Sequence, residues 1–256
     1  MSEHTPQGID IRRAGQWLVL ALLLSEVFLI FGHITVNWYD GYSSGAQRLF
    51  HVDREGNLPS WFSSMQFFLL AIILMFTFLA ERVINPDKRL TWFWLLASAG
   101  ALFLSADEGA RLHERFGTLL YRAVRNADEG SALQTLSSFP SYYWALIYVP
   151  LALPAIAILV WFFWRELGKM RALPIVGMIL FLIGAVVLDY LEGRYGNDEH
   201  KPWEVNFLGF NEIVDTALIE EAFEMVGVTL VVTGCLFHLA RLVIQIRVNK
   251  IKPQVG

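Results

Sequence analysis

The sequence predicts an all-α, polytopic membrane protein built as one bundle of six transmembrane helices. Three observations carry that prediction. Apolar residues make up 55% of the 256-residue chain, above the ~45–50% usual for soluble domains. Mean hydropathy is positive. The apolar residues are gathered into six runs, each near the ~20 residues that a helix needs to cross a bilayer core. The single cysteine, Cys235, lies inside one run, which leaves no disulfide framework or thiolate metal knuckle within one chain.

The first run, about 16–36, follows Arg12 and Arg13 and contains Glu26 and His33. It is long and lacks a small-residue cleavage site, so it reads as a span and not a leader. Before the second run, 61–80, the segment HVDREGNLPSWFSS sets Asp53, Glu55 and Asn57 at alternate positions. That resembles the start of a calcium loop. Ser64 stands where the bidentate acid belongs, however, so a polar turn is expected. The third run, 91–111, reaches full length only with its acidic end, LSADEGAR. Beyond it, Leu112, Phe116, Leu119 and Leu120 recur near helical spacing between arginines, which predicts an interfacial amphipathic helix over 108–125. A polar loop over 126–140 leads to the fourth run, 143–164, where Pro150 and Pro154 each remove a backbone donor and favour a kink. The fifth run, 172–192, closes on DYLEG, a polar loop covers 193–211, and the sixth run, 220–243, opens on EEAFE. Small residues at 97–101 (ASAGA) and at Gly227 and Gly234 permit close helix approach.

Basic residues favour the cytoplasmic side of short loops. The N-terminal segment, loops 81–90 and 165–171 and the C-terminal tail hold twelve Lys and Arg and five acids, a net +7; the remainder holds eight and nineteen, a net −11. Both termini are therefore expected in the cytoplasm.

With this topology the embedded acids fall in one leaflet. Asp107, Glu108, His113 and Glu114 close the third helix, Asp189 and Glu192 close the fifth, and Glu220, Glu221 and Glu224 open the sixth. Glu26 lies near mid-depth on the first helix, with no Lys or Arg near it in its own helix. A charge at mid-helix costs ~2.5–3.5 kcal/mol on insertion scales. Carboxylates gathered out of water raise one another's pKa, so the group needs protons, arginines or a bound cation. Plainer readings exist for each piece. Asp107–Arg111 and Arg111–Glu114 pairs, at i,i+4 and i,i+3, would solvate a helix end, and acids in a first turn meet the helix dipole. Glu26 has no such local account.

Carboxylates with one His suit Fe, Mn, Mg, Ca or Zn more than a thiolate metal. The expectation is a divalent-metal site drawn from Glu26, Asp107, Glu108, His113, Glu114, Asp189, Glu192, Glu220, Glu221 and Glu224. In an enzyme, such as a metal-dependent hydrolase acting on a lipid or membrane-soluble substrate, Glu26, Asp107 and His113 are the catalytic candidates. No Glu-x-x-His pair of the common di-iron bundles occurs. The alternatives are a non-enzymatic subunit of a membrane complex, a cation or proton pathway component, and haem held by His33 and His113. The bilayer is the expected partner, other membrane subunits are possible ones, and no basic aromatic surface for nucleic acid is present.

The stretches FHVDREGNLPSWFSS (50–64), LSADEGARLHERF (104–116) and IEEAFEMVG (219–227) resemble a widespread group of bacterial multi-pass membrane proteins to which no activity is assigned. The resemblance implies a bacterial inner-membrane location.

Overall fold

The computed structural model describes residues 10–38, 42–52, 56–195, 203–207, 210–214 and 216–251. Six stretches are long and apolar enough to cross a membrane: Ile11–Val36, Leu58–Ile84, Arg89–Ala110, Ala145–Glu166, Gly168–Leu191 and Ala217–Asn249. They overlap the six predicted spans along nearly their whole lengths, and the chain is a multi-pass helical membrane protein. Its outer surface has the chemistry of its solvent: Leu24, Phe31 and Leu151 are each 60–70% exposed, an arrangement that hydrocarbon accepts and water does not.

The helices are α1 (Ile11–Trp38), α2 (Ser44–Phe50), α3 (Leu58–Ile84), α4 (Trp92–Ala110), α5 (Leu112–Arg125), α6 (Ala145–Glu166), α7 (Ala172–Leu182), α8 (Asp189–Tyr195) and α9 (Thr216–Ile251). The C-terminal helix is the spine, packing against α1, α3 and α7, while α3 also packs along α4. The core between them holds Trp94, Phe162, Phe163, Val232 and Cys235, all essentially inaccessible.

Because lipid is as apolar as leucine, helix contacts here rely on small residues and polar bonds. Ser98 Oγ donates to Ala71 O at 2.8 Å. Ser64 and Ser105 each donate a hydroxyl to the other's carbonyl at 2.8 Å, joining α3 to α4. Between α7 and α9, a glycine seam removes the side chains altogether. A Cβ on Gly227 would meet Gly177 O at 2.7 Å and Phe181 N at 2.8 Å, one on Gly234 would meet Pro174 Cδ at 2.5 Å, and one on Gly184 would meet Glu220 O at 2.8 Å. Close approach at Gly227 and Gly234 is thus realised, with α7 as the partner.

Four local features differ from the sequence reading. The third span does not run on into the amphipathic segment: Arg111 turns left-handed (φ 54°, ψ 46°), α4 stops at Ala110, and α5 starts at Leu112 instead of 108. A π turn, Ile183–Leu188, separates α7 from α8 within the fifth span. The loop 126–140 contains a 3₁₀ turn, Gln134–Ser138. Part of the predicted loop 193–211 pairs as an antiparallel hairpin, β1 (Trp203–Phe207) with β2 (Phe210–Val214). In the calcium-like segment, Asn57 is the N-cap of α3, accepting from Ser60 N at 3.1 Å; Asp53 and Glu55 lie outside the described residues.

Candidate functional site

The site begins with the helix break. Arg111 N–H still bonds to Asp107 O at 2.7 Å, closing α4. The left-handed residue then turns the chain, and His113 comes back over Asp107. One carboxylate oxygen, Oδ1, accepts the His113 backbone N–H at 2.8 Å. The other, Oδ2, lies 2.9 Å from His113 Nδ1. Trp144 and Tyr148 present ring edges to the imidazole at centroid distances of 5.5 and 6.1 Å. The backbone and ring of His113 are therefore both fixed, leaving Nε2 as its working nitrogen. The expected Asp107–Arg111 pair does not form, because the break removes the i,i+4 geometry. Arg111 instead reaches Glu114, Nη2 to Oε1 2.5 Å.

His113 lies on the wall of a cavity of about 810 Å³ at one end of the bundle. Glu108 from α4, Glu114 from α5, Asp189 from α8 and Glu220, Glu221 and Glu224 from α9 line it too. Arg111 is the only Arg or Lys among the described lining residues, and Tyr121, Phe139, Tyr142, Tyr143 and Trp144 supply aromatic walls. Seven of the ten sequence candidates thus share one cavity. Asp107 stands behind it as the orienter of His113.

The electrostatics of His113 follow from these neighbours. Burial is the largest single influence and pulls its pKa down. The hydrogen bond and charge of Asp107, with the charges of Glu114 and Glu108, together outweigh it, so the pKa rises above the ordinary value. The pair resembles the His–carboxylate units that hold an imidazole as a proton carrier or as a metal ligand.

Two candidates stand apart. Glu26 is 2% exposed and does not line the cavity. Its Oε1 accepts from Thr229 Oγ1 at 2.6 Å and from Gln66 Nε2 at 2.8 Å, so it ties α1 to α3 and α9. Its partners come from other helices, as the absence of any local cation required. The side chain of Glu192 lies outside the described part. His33, the second haem candidate, accepts the Val52 N–H through Nδ1 at 3.1 Å and is buried. Ser63, Ser64 and Gln66 do not line the cavity either, though Ser60 does.

The chain matches a domain of unknown function, DUF8692, over residues 15–239. It belongs to that family. The match covers α1 from residue 15, all of α2 to α8 and most of α9, so cavity, dyad and glycine seam all lie within the family domain. No curated protein and no solved structure gives a significant match.

Sequence reading missed a polar node at the other end of the bundle. Glu81 is buried and lies 3.6 Å from His238 Nε2, Oε1 to nitrogen. His238 stacks on Trp94 at 5.2 Å, Asn85 donates to Glu81 Oε2 at 3.1 Å, and Lys88 pairs with Glu166. His238 is packed, and its acid, Glu81, falls by sequence in the loop 81–90. The available signal was the position of Glu81, directly after an apolar run without a break.

Proposed function

We propose that the acidic cavity binds a cation and that the cation is a divalent metal held at the extracytoplasmic face of a bacterial inner membrane. The observation that carries this reading is the shared cavity: six carboxylates and an oriented imidazole, contributed by α4, α5, α8 and α9, with a single arginine among the described residues that line it. Among the described residues no group of three or more His, Cys, Asp or Glu is arranged to hold a metal ion directly. The acids surround a space far larger than one bare ion. That spacing suits a hydrated ion such as Mg²⁺, which keeps much of its water shell and takes one or two carboxylates directly. Four faces of acid bring it there, and His113 stands beside it as ligand or proton carrier.

In the enzymatic form of this proposal, His113 moves a proton at Nε2 while Asp107 positions it, and an ion held by the cavity's carboxylates would supply polarisation of an ester or phosphoester of a lipid. The polarised charge of the two ends, basic opposite acidic, supports the orientation.

Isothermal titration of chelator-stripped protein with Mg²⁺ and Mn²⁺ tests the reading. A saturable site is expected, weakened at least tenfold in the Glu221→Gln/Glu224→Gln double variant. No saturable binding at millimolar ion, or an unchanged variant, would sink it.

A further inference from the structure

The helix α5 presents three faces. At about 100° per residue, His113, Gly117 and Val124 turn inward; a Cβ on Gly117 would stand 2.7 Å from Trp144 N, and Val124 is 3% exposed. Phe116 and Leu119, 49% and 59% exposed, share an apolar face. Arg115, Thr118 and Arg122 occupy a third face, where with Arg111, Glu114 and Leu119 they line a shallow groove of about 450 Å³. Apolar and arginine strips side by side are what a helix needs to lie in a membrane interface. Three residues, Arg111, Glu114 and Thr118, line the groove and the acidic cavity alike, so the groove opens on the cavity rim. Arg111 is paired with Glu114. Among the described residues no carboxylate stands within ion-pair distance of Arg115 or Arg122.

We propose that this groove seats the phosphate of a membrane phospholipid, with its acyl chains along Phe116 and Leu119 and its headgroup at the cavity rim. Guanidinium groups match phosphate oxygens in charge and in fork geometry. The occupant is a lipid and not free phosphate because the apolar strip begins within the groove itself, at Leu119, and continues to Phe116 on the same helix. The proposal deepens the functional reading by naming phospholipid as the substrate class of the site. The seat itself uses α5 and the Arg111 that precedes it, and does not require a metal in the cavity.

Native mass spectrometry of the detergent-purified full chain tests it, with phosphatidylglycerol, phosphatidylethanolamine and diacylglycerol as probes and inorganic phosphate as competitor. Both phospholipids are expected to bind, diacylglycerol to bind at least tenfold more weakly, and millimolar phosphate to displace little. Arg115→Ala/Arg122→Ala should lose at least tenfold in phospholipid binding while Glu221→Gln/Glu224→Gln keeps it. Should the alanine pair fail to fold, Arg115→Lys/Arg122→Lys, which retains charge but not the fork, is expected to lose severalfold. Equal binding of diacylglycerol, full competition by inorganic phosphate, or unchanged binding in the folded arginine variant would overturn the seat. A failed metal titration would overturn only the cation reading.

Discussion

The glycine seam between α7 and α9 offers the sharpest test of how this bundle is held together. Gly177 and Gly227 face each other. A Cβ added to Gly227 would lie 2.7 Å from Gly177 O, and one added to Gly177 would lie 3.0 Å from Leu230 Cβ and closer still to Gly227 O. Under 3.0 Å the helices must separate, by roughly half an ångström to one ångström to restore ordinary contact. Overpacking of this kind costs ~1–3 kcal/mol. Gly177→Ala and Gly227→Ala should each destabilise by about that amount. Because either methyl forces the same separation, the second should add little once the first is present. The double variant should therefore fall short of the sum by ~1 kcal/mol or more, a coupling typical of residues in contact. Gly100→Ala is the control, since nothing lies within 4 Å of its added Cβ; relief of glycine's helix penalty should leave it neutral or stabilised by up to ~1 kcal/mol. Reversible unfolding in mixed detergent micelles reads all four. Strictly additive losses at Gly177 and Gly227, or none at all, would refute the argument that backbone contact at the seam sets the helix spacing.

Asp107→Asn should cost ~1.5–3 kcal/mol, the range for hydrogen bonds to a charged group, and free the His113 ring, seen as broadening of its NMR signals. His113 has a raised pKa, so the stability it contributes is full below the ordinary histidine value of about 6.5 and is lost as pH rises through the higher folded value. In chelator-stripped protein, unfolding measured between pH 5 and 9 should show that loss, and His113→Gln should flatten it; an identical profile in the variant would rule the assignment out. Gln66→Leu removes a donor shared by Glu26 Oε1, Met225 O and Thr229 Oγ1 and should destabilise by ~1–2 kcal/mol. Adding Glu26→Leu should recover part of that loss, since it removes the buried carboxylate that Gln66 had bonded and leaves only the Thr229 hydroxyl to lose an acceptor; a further full loss would contradict it. His238→Phe keeps the stack on Trp94 but leaves Glu81 without its imidazole, and a lower unfolding temperature is expected.

The bundle was legible because span length and apolar composition are properties of each segment alone. Convergence of acids at one end was legible for a related reason: alternate helices return the chain to the same side, so an acid at the end of the third or fifth helix and one at the start of the sixth must meet. The dyad was not. Asp107 and His113 are six apart, a spacing that points to different faces of an unbroken helix, and only the left-handed turn at Arg111 brings them together. A non-glycine residue in that conformation leaves no strong mark in sequence. Glu26 was recognised as unusual, but its partners, Gln66 and Thr229, are 40 and 203 residues away and are neutral donors that a search for cations passes over. Glu81 was missed for the opposite reason, since its place beside a basic loop hid its burial.

The π turn at Ile183–Leu188 has a consequence for the reach of Asp189. Each residue of an α-helix advances ~100° about the axis, and a π turn accommodates one residue more than the regular repeat. Everything after Leu188 is therefore rotated by about that angle from where an unbroken helix would aim it. Asp189 lines the cavity in this rotated frame. Deleting one residue from 183–188 would restore an ordinary helix and leave the carboxylate aimed as it is, whereas rewinding the same residues into an unbroken helix would swing it about a quarter-turn away. At this point the aim of a side chain is set by how the turn is wound as much as by the residues in it.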